Sequence, residues 1–394
     1  MNAMRFAWRS LVRQPARAAL GVLGVAAVGA LLFDMLMLSD GLVVSMRDLL
    51  DRTGFDVRVT ATGDLLRSGA RIQHASEAVE AISAIPTVRS ALAIRLADGT
   101  IETGGGGSLY TTFEGVLGSG PKPWTVIRGG DAEGPQEVVI NQTLAERMTL
   151  APGAHLMLRA GCRQGFEMMP RARLHVVGIA EFPFEGANEH VVAGGMASLD
   201  AACGGNSEDE AELIAAISTG DPDRAATAIE KARPDLKVST NEQLLGRLRQ
   251  TGFTYFQQIS TVLTTVTLSF AVLLITVLLT VSVNQRLGEI AALRALGFSR
   301  SRVVSDVLCE SALIVGIGGL LSLPLGVLLA TGLDRILKGM PGIPAAMHFF
   351  VFDVDTLVVH AALLAITAIA AAAYPMQIVA RLPIASTLRQ EVIG

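Results

Sequence analysis

A chain of 394 residues with 51% hydrophobic and only 17% charged side chains is too apolar for an ordinary soluble enzyme. Its net charge of −4 hides a partition, because residues 40–257 hold 28 acidic and 20 basic side chains and the remainder holds 8 and 12. The apolar residues are just as unevenly placed, which excludes a single aqueous core.

Residues 1–17 read as a short amphipathic helix. Arg5, Arg9, Arg13 and Arg17 suit anionic lipid headgroups, and Phe6, Trp8 and Leu11 suit the membrane interface. Four segments, 18–38, 259–283, 308–333 and 357–376, are each apolar enough to span about 30 Å of hydrocarbon. A cleaved signal peptide is the competing reading of the first. Its apolar run is long for a signal core, however, and no small-x-small site follows at Leu38-Ser-Asp-Gly, so an uncleaved span is predicted. The basic clusters at 5–17, at 286–302 and at Arg381 and Arg389 fall on one side of four crossings. The positive-inside rule makes that side cytoplasmic, with both termini, and puts the long 40–257 segment outside.

The first helix does not stop at the bilayer, since Leu42, Val43, Met46, Leu49 and Leu50 keep helical spacing to about residue 51. Thr240-Asn-Glu-Gln243 reads as a capping box opening a second long helix over 241–283, roughly 60 Å at 1.5 Å per residue. Two such helices would form a stalk carrying the external segment.

That segment, 52–240, reads as one α/β unit of two lobes. Strands are predicted at 55–61, 88–96, 109–116, 137–141, 155–159, 173–181, 213–218 and 237–239. Helices are predicted at 77–85, 142–148, 196–202 and, after the N-cap Asp221 and first-turn Pro222, to Ala232. The order suggests a split βαβ pattern with helices on one sheet face. The run Gly104–Gly107 is a loop. Cys162 and Cys203 lie outside, where a disulfide could persist; two buried thiols are the alternative.

In the third span Gly316, Gly318 and Gly319 would let helices approach closely, and Pro324 could kink the helix. Plain helix packing is preferred there to a substrate path. Asp34 and Glu310 are the unusual membrane acids. Both are taken to lie within two turns of an interface and to snorkel to water.

No phosphate-cradling Gly-x-x-x-x-Gly-Lys-Ser/Thr, no His-Glu-x-x-His and no Gly-x-Ser-x-Gly occurs. Glu189-His190 has no second ligand at useful spacing and reads as a surface loop. No catalytic residue and no metal site is assigned.

The link from Asn284 to Val315, NQRLGEIAALRALGFSRSRVVSDVLCESALIV, is longer and more patterned than a turn requires. Leu287, Ile290 and Leu293 step round one side of a helix, Gly297 supplies a stop, and Ser299 can cap a helix entering the bilayer. An ordinary basic loop is the alternative on pattern alone. The run from Arg286 to Arg300, with its Glu-Ile, Leu-Arg-Ala-Leu-Gly and following hydroxyl residue, resembles the signature of FtsX/MacB-type ABC transporter permeases. Gly288 departs from that signature, which has a basic residue there. The opening Arg9-Ser-Leu-Val-Arg-Gln-Pro-Ala-Arg and the close from Tyr374-Pro through Ala380-Arg381 and Pro383 to Leu388-Arg389 resemble the family too.

The resemblance implies an α-helical membrane protein with four transmembrane helices plus an α/β periplasmic domain on a helical stalk between the first two. Its parts are 1–17, a cytoplasmic amphipathic helix; 18–51, first span and stalk; 52–240, periplasmic core; and 241–283, stalk and second span. There follow 284–307, a cytoplasmic coupling segment; 308–333, third span; 334–356, periplasmic loop; 357–376, fourth span; and 377–394, tail. Arg286, Glu289, Ile290, Leu293, Arg294, Gly297 and Ser299 would sit at or near the contact with an ABC ATPase dimer. ATP and Mg would bind that partner and no cofactor this chain. The implied chain is a non-enzymatic permease in the bacterial inner membrane, paired with a second permease chain and surrounded by lipid, without a nucleic-acid partner. It would export or extract a lipoprotein, lipid, peptide or drug, with a periplasmic adaptor or carrier. The alternative is a signal transmitter that switches a cell-wall hydrolase.

Overall fold

A computed structural model describes residues 12–13, 15–62, 70–103, 106–162, 171–205, 208–247, 250, 254–285, 287–288, 291, 299–340, 343–352 and 354–380. In chain order, α1 (Pro15–Arg52) leads to β1 (Val57–Thr60), β2 (Ile72–Gln73), α2 (Ala75–Ser83), β3 (Val88–Glu102) and β4 (Ser108–Gly118). Next come β5 (Thr125–Gly129), β6 (Glu137–Asn141), α3 (Gln142–Met148), β7 (His155–Gly161), β8 (Ala172–Glu181), β9 (Val191–Gly195) and α4 (Met196–Ala202). The chain continues through β10 (Glu210–Ala211), β11 (Leu213–Ser218), α5 (Pro222–Ala232), β12 (Lys237–Thr240) and α6 (Asn241–Arg247). It closes with α7 (Thr254–Asn284), α8 (Arg300–Lys338) and α9 (Val354–Ala380). Two units divide it. One holds 1–42, 252–335 and 348–394, the other 43–251 and 336–347.

The first unit is helical. Among the described residues four helices are long and apolar enough to cross a membrane, within Ala18–Arg52, Gln258–Val281, Leu308–Lys338 and Val354–Ile378. Val25, Leu32, Ile275, Leu279, Ile314 and Leu364 join the four in one buried cluster. The expected continuous helix over 241–283 is described as two elements, α6 and α7, with 248–249 and 251–253 between them outside the described residues. The capping box ahead of α6 is half formed. Gln243 N donates to Thr240 Oγ1 (3.3 Å), while the Gln243 side chain turns instead to Asp223 Oδ1 (3.2 Å).

The second unit is a ten-stranded mixed sheet in the order β12-β1-β11-β3-β4-β9-β6-β8-β5, with β7 joining β3 to β8. Period-two alternation sorts its side chains. On the helix-covered side, Ile101, Phe113, Val138 and Ile140 pack with Leu144 of α3 and Leu199 of α4. Also on that side, Val57, Val59, Ala93 and Ile214 pack with Ile82 of α2 and Ile229 of α5. These are the two lobes. Complete burial of a leucine such as Leu144 or Leu199 contributes about 2 kcal/mol. At Gly115 a Cβ would come within 2.7 Å of Leu199, so the missing side chain is what lets α4 lie on β4. A third cluster, with Phe55, Leu92, Ile94, Phe182, Val191 and Leu213, occupies the opposite face and takes no helix residue. Helices on one face only is the expected arrangement.

Asp221 caps α5 through a bond from Asp223 N (3.0 Å), and Asn141 caps α3 through one from Leu144 N (3.1 Å). The helix predicted to begin at Glu77 starts two residues earlier, at Ala75, after His74 in a left-handed conformation with φ 51°.

Candidate functional site

Within the helical unit, the small residues of α8 mark where backbones come close. A Cβ on Gly318 would stand 2.7 Å from Val25 Cβ of α1, and one on Gly319 would stand 2.9 Å from Leu364 Cδ1 of α9. In lipid, where apolar surface finds apolar solvent anyway, such close approach is a main source of helix association. Gly316 is different, since a Cβ there would meet nothing within 4 Å. α8 stays helical through Pro324. Gly29 of α1 was not singled out in the sequence, yet a Cβ there would lie 2.8 Å from Ser322 Cβ.

That contact leads to a polar island in the bundle. Ser322 Oγ lies 2.7 Å from Gly319 O, to which it donates, and 3.0 Å from His360 Nε2. The ring's Nδ1 is buried without a partner among the described residues, and Phe33 packs edge-on at 5.2 Å. His360 is a lone polar residue in an apolar run, a signal available in the sequence but not used.

Asp34 corrects an expectation. It does not snorkel: it is wholly buried, and neither carboxylate oxygen has a hydrogen-bond partner among the described residues. The reason is that residue 34 lies on the face of α1 that also carries Ala30, Phe33 and Met37, all buried. Glu310 is buried too.

Of the residues expected at an ATPase contact, Arg286, Glu289, Ile290, Leu293, Arg294 and Gly297 lie outside the described residues. Ser299 is exposed and directly precedes α8, at the position expected of a cap. Most of the opening helix, part of the glycine run 104–107 and the tail 381–394 also lie outside. In the second unit, Cys162, just past β7, is disulfide-bonded to Cys203, just past α4, with Cα atoms 5.7 Å apart.

Residues 261–383 match the family described as FtsX-like permease C-terminal. No curated relative matches the chain. Among solved structures, the extracellular domain of the noncanonic ABC-type transporter YknZ from Gram-positive bacteria aligns at 14% identity and a TM-score of 0.34, over 47% of this chain and 98% of that one. The periplasmic region of MacB from Actinobacillus actinomycetemcomitans aligns at 11% identity and a TM-score of 0.38, over 52% and 99%. The family match begins within α7, runs through the link and α8 and ends just past α9, so the segment that follows the α/β unit is similar to the C-terminal domain of FtsX-like permeases.

Proposed function

We propose that this chain is the permease subunit of an ABC transporter in the bacterial inner membrane, with both termini cytoplasmic and the α/β unit in the periplasm. The observation that carries the reading is the family match over 261–383, which takes in the arginine-bearing link. In this reading a separate ATPase dimer, holding ATP and Mg, closes on ATP and pushes the link, 284–307. Helix α1, continuous from Pro15 to Arg52, transmits the push together with α6 and α7, and the periplasmic unit rearranges to export or extract a lipoprotein, lipid, peptide or drug. Substrate need not pass between the spans. A second permease chain completes the assembly. Ile259, Leu263, Val266, Phe270, Leu273 and Val277 support that partner, for they form an exposed stripe at alternating spacings of four and three along α7.

Charge reversal at the link tests the coupling. The pair Glu289→Arg and Arg294→Glu should reduce stimulation of the co-purified ATPase by about tenfold or more, equivalent to losing roughly 1.4 kcal/mol of contact. Unchanged turnover and unchanged co-purification would overturn the proposal.

A further inference from the structure

The helix-free face of the sheet holds a cavity of about 360 Å³, lined entirely by residues of the second unit. That volume is within the range of small-molecule sites. Its floor is apolar: Phe55, Ile94, Leu96, Phe182, Val191 and Leu213 all face it. Four ionisable groups break that lining, and they are not mixed. Arg58 stands on β1, while Glu114 stands on β4 and Glu185 and Glu189 on the loop between β8 and β9.

Strand order separates the arginine from Glu114. From β1 to β4 the path crosses β11 and β3, three strand spacings, or about 14 Å. Arg58 is engaged at its own end, where its Nε donates to Asn241 Oδ1 (3.3 Å) and a terminal nitrogen to Thr53 Oγ1 (3.5 Å). Lys122, next to the lining residue Pro123, is held by Asp131 at 3.1 Å.

At the acidic end no basic side chain joins the lining among the described residues. Glu185 Oε2 is buried and has no hydrogen-bond partner among them. Burial pushes both Glu114 and Glu185 up to about 7, with Glu181 and Glu189 adding repulsion at Glu185 and Asn141 opposing it. The wall carrying Glu185 is fixed in place. Gly186 N donates to Glu189 Oε2 (3.0 Å), Asn141 Nδ2 to Glu189 O (2.8 Å), and Ala345 N to Glu185 O (2.7 Å). A preformed apolar hollow with desolvated carboxylates at one end fits a particular chemistry. The apolar floor takes a hydrocarbon or aromatic body. A cation gives the carboxylates the charge partner the protein withholds, and a protonated amine also donates hydrogen bonds to them.

We propose that this cavity is a binding site for a small apolar molecule bearing one protonated amine, its body on the Phe55–Leu96–Phe182 floor and its ammonium at the Glu114–Glu185 end. The site stands independently of any ATPase partner. Dansylcadaverine, an aromatic amine, and its N-acetyl derivative, which has the same body without the charge, are the probes. Fluorescence titration of the full chain in nanodiscs of zwitterionic lipid, with empty nanodiscs subtracted, reads the affinity at pH 8. The amine should bind saturably and about tenfold or more tighter than the acetylated probe. Glu114→Gln and Glu185→Gln keep side-chain size and should each remove most of that preference, whereas Arg58→Gln should leave it. Equal affinities for the two probes, or a preference surviving in the double glutamine variant, would overturn the assignment.

Discussion

The two faces of strand β3 treat buried charge in opposite ways. On the helix-covered face Arg95 lies between Ala93, which belongs to the α2/α5 cluster, and Ala97, which belongs to the α3/α4 cluster. Arg95 is fully buried, and its guanidinium donates to Glu208 O and to Cys162 O (3.4 Å), with Glu210 Oε2 at 3.9 Å. Arg71 extends the network to Glu210 (3.0 Å) and Glu212 (2.8 Å). Burial alone would push Glu210 up, but Gln73 and Arg71 hold it below its ordinary range. On the other face Ile94 and Leu96 line the cavity, where Glu185 keeps an unpartnered oxygen and Glu114 is held near neutrality by burial. Charges that pair with one another close the seam between two lobes, although Arg95 Nε is left without a hydrogen bond among the described residues. Charges that do not are left facing a space that something else can fill.

The sharpest way to break this contrast is to remove the arginine. Arg95→Met leaves Glu210 buried with less compensation and interrupts the seam, so the full chain should lose up to about 5 kcal/mol of unfolding free energy. Adding Glu210→Leu should not recover that loss, because Arg71 and Gln73 then lose the acceptor they share. Chemical unfolding followed by tryptophan fluorescence measures both, since Trp124 reports from the second unit. A single-variant cost no larger than the ~1 kcal/mol of a surface ion pair would mean the seam is not held by these charges.

The disulfide is the next largest effect. It joins residues 41 apart in sequence and places Cys162 O beside Arg95. On the chain-entropy account, a loop of that length adds about 4 kcal/mol by restricting the unfolded chain. Reductant should therefore lower the unfolding midpoint of the native chain and leave a Cys162→Ser/Cys203→Ser variant where it already is. A reductant-sensitive variant would place the effect elsewhere.

How much of this was legible in the residues depends on what each element buries. Helices α3, α4 and α5 lie where predicted, because Asn141, Asp221 and the apolar spacing declare their ends. Strand β9 was missed. Val191–Gly195 lies between β4 and β6, is buried over almost its whole length, and so shows continuous apolar character rather than alternation. Strand β5 was missed for the opposite reason, being an exposed edge with little pattern. Glu189 was read as part of a surface loop because nothing near it in sequence suggested otherwise. Its companions Glu114 and Glu185 reach the same cavity from a different strand and from the far side of a turn, and only tertiary pairing brings them together. Asp34 was misjudged because it was weighed by distance from an interface and not by the face of α1 it shares with Ala30 and Met37, while Gly318 and Gly319 were visible as a cluster of small residues in an apolar span.

The smallest effect is also the most direct test of the open face. Glu114 and Glu185 are held by burial at about 7, well above the ordinary glutamate value of 4.5. Between those values the folded chain holds more protons than the unfolded one, so stability must fall as pH rises through this window and level off above it. The sign is opposite to that of a salt-bridged acid such as Glu210, whose contribution is lost in acid. Glu114→Gln should remove part of the slope between pH 5 and pH 7.5 and stabilise the chain at pH 8, by an amount on the order of 1–3 kcal/mol. Glu210→Gln should do the opposite at pH 8, costing stability there, while leaving the slope above pH 5 unchanged because a lowered carboxylate is ionised in both states throughout that window. If the two variants shifted the profile in the same direction, the division of β3 into a satisfied face and an unsatisfied one would fail. A ligand cation in the cavity should act as Glu114→Gln does, flattening the decline as it favours the ionised carboxylates.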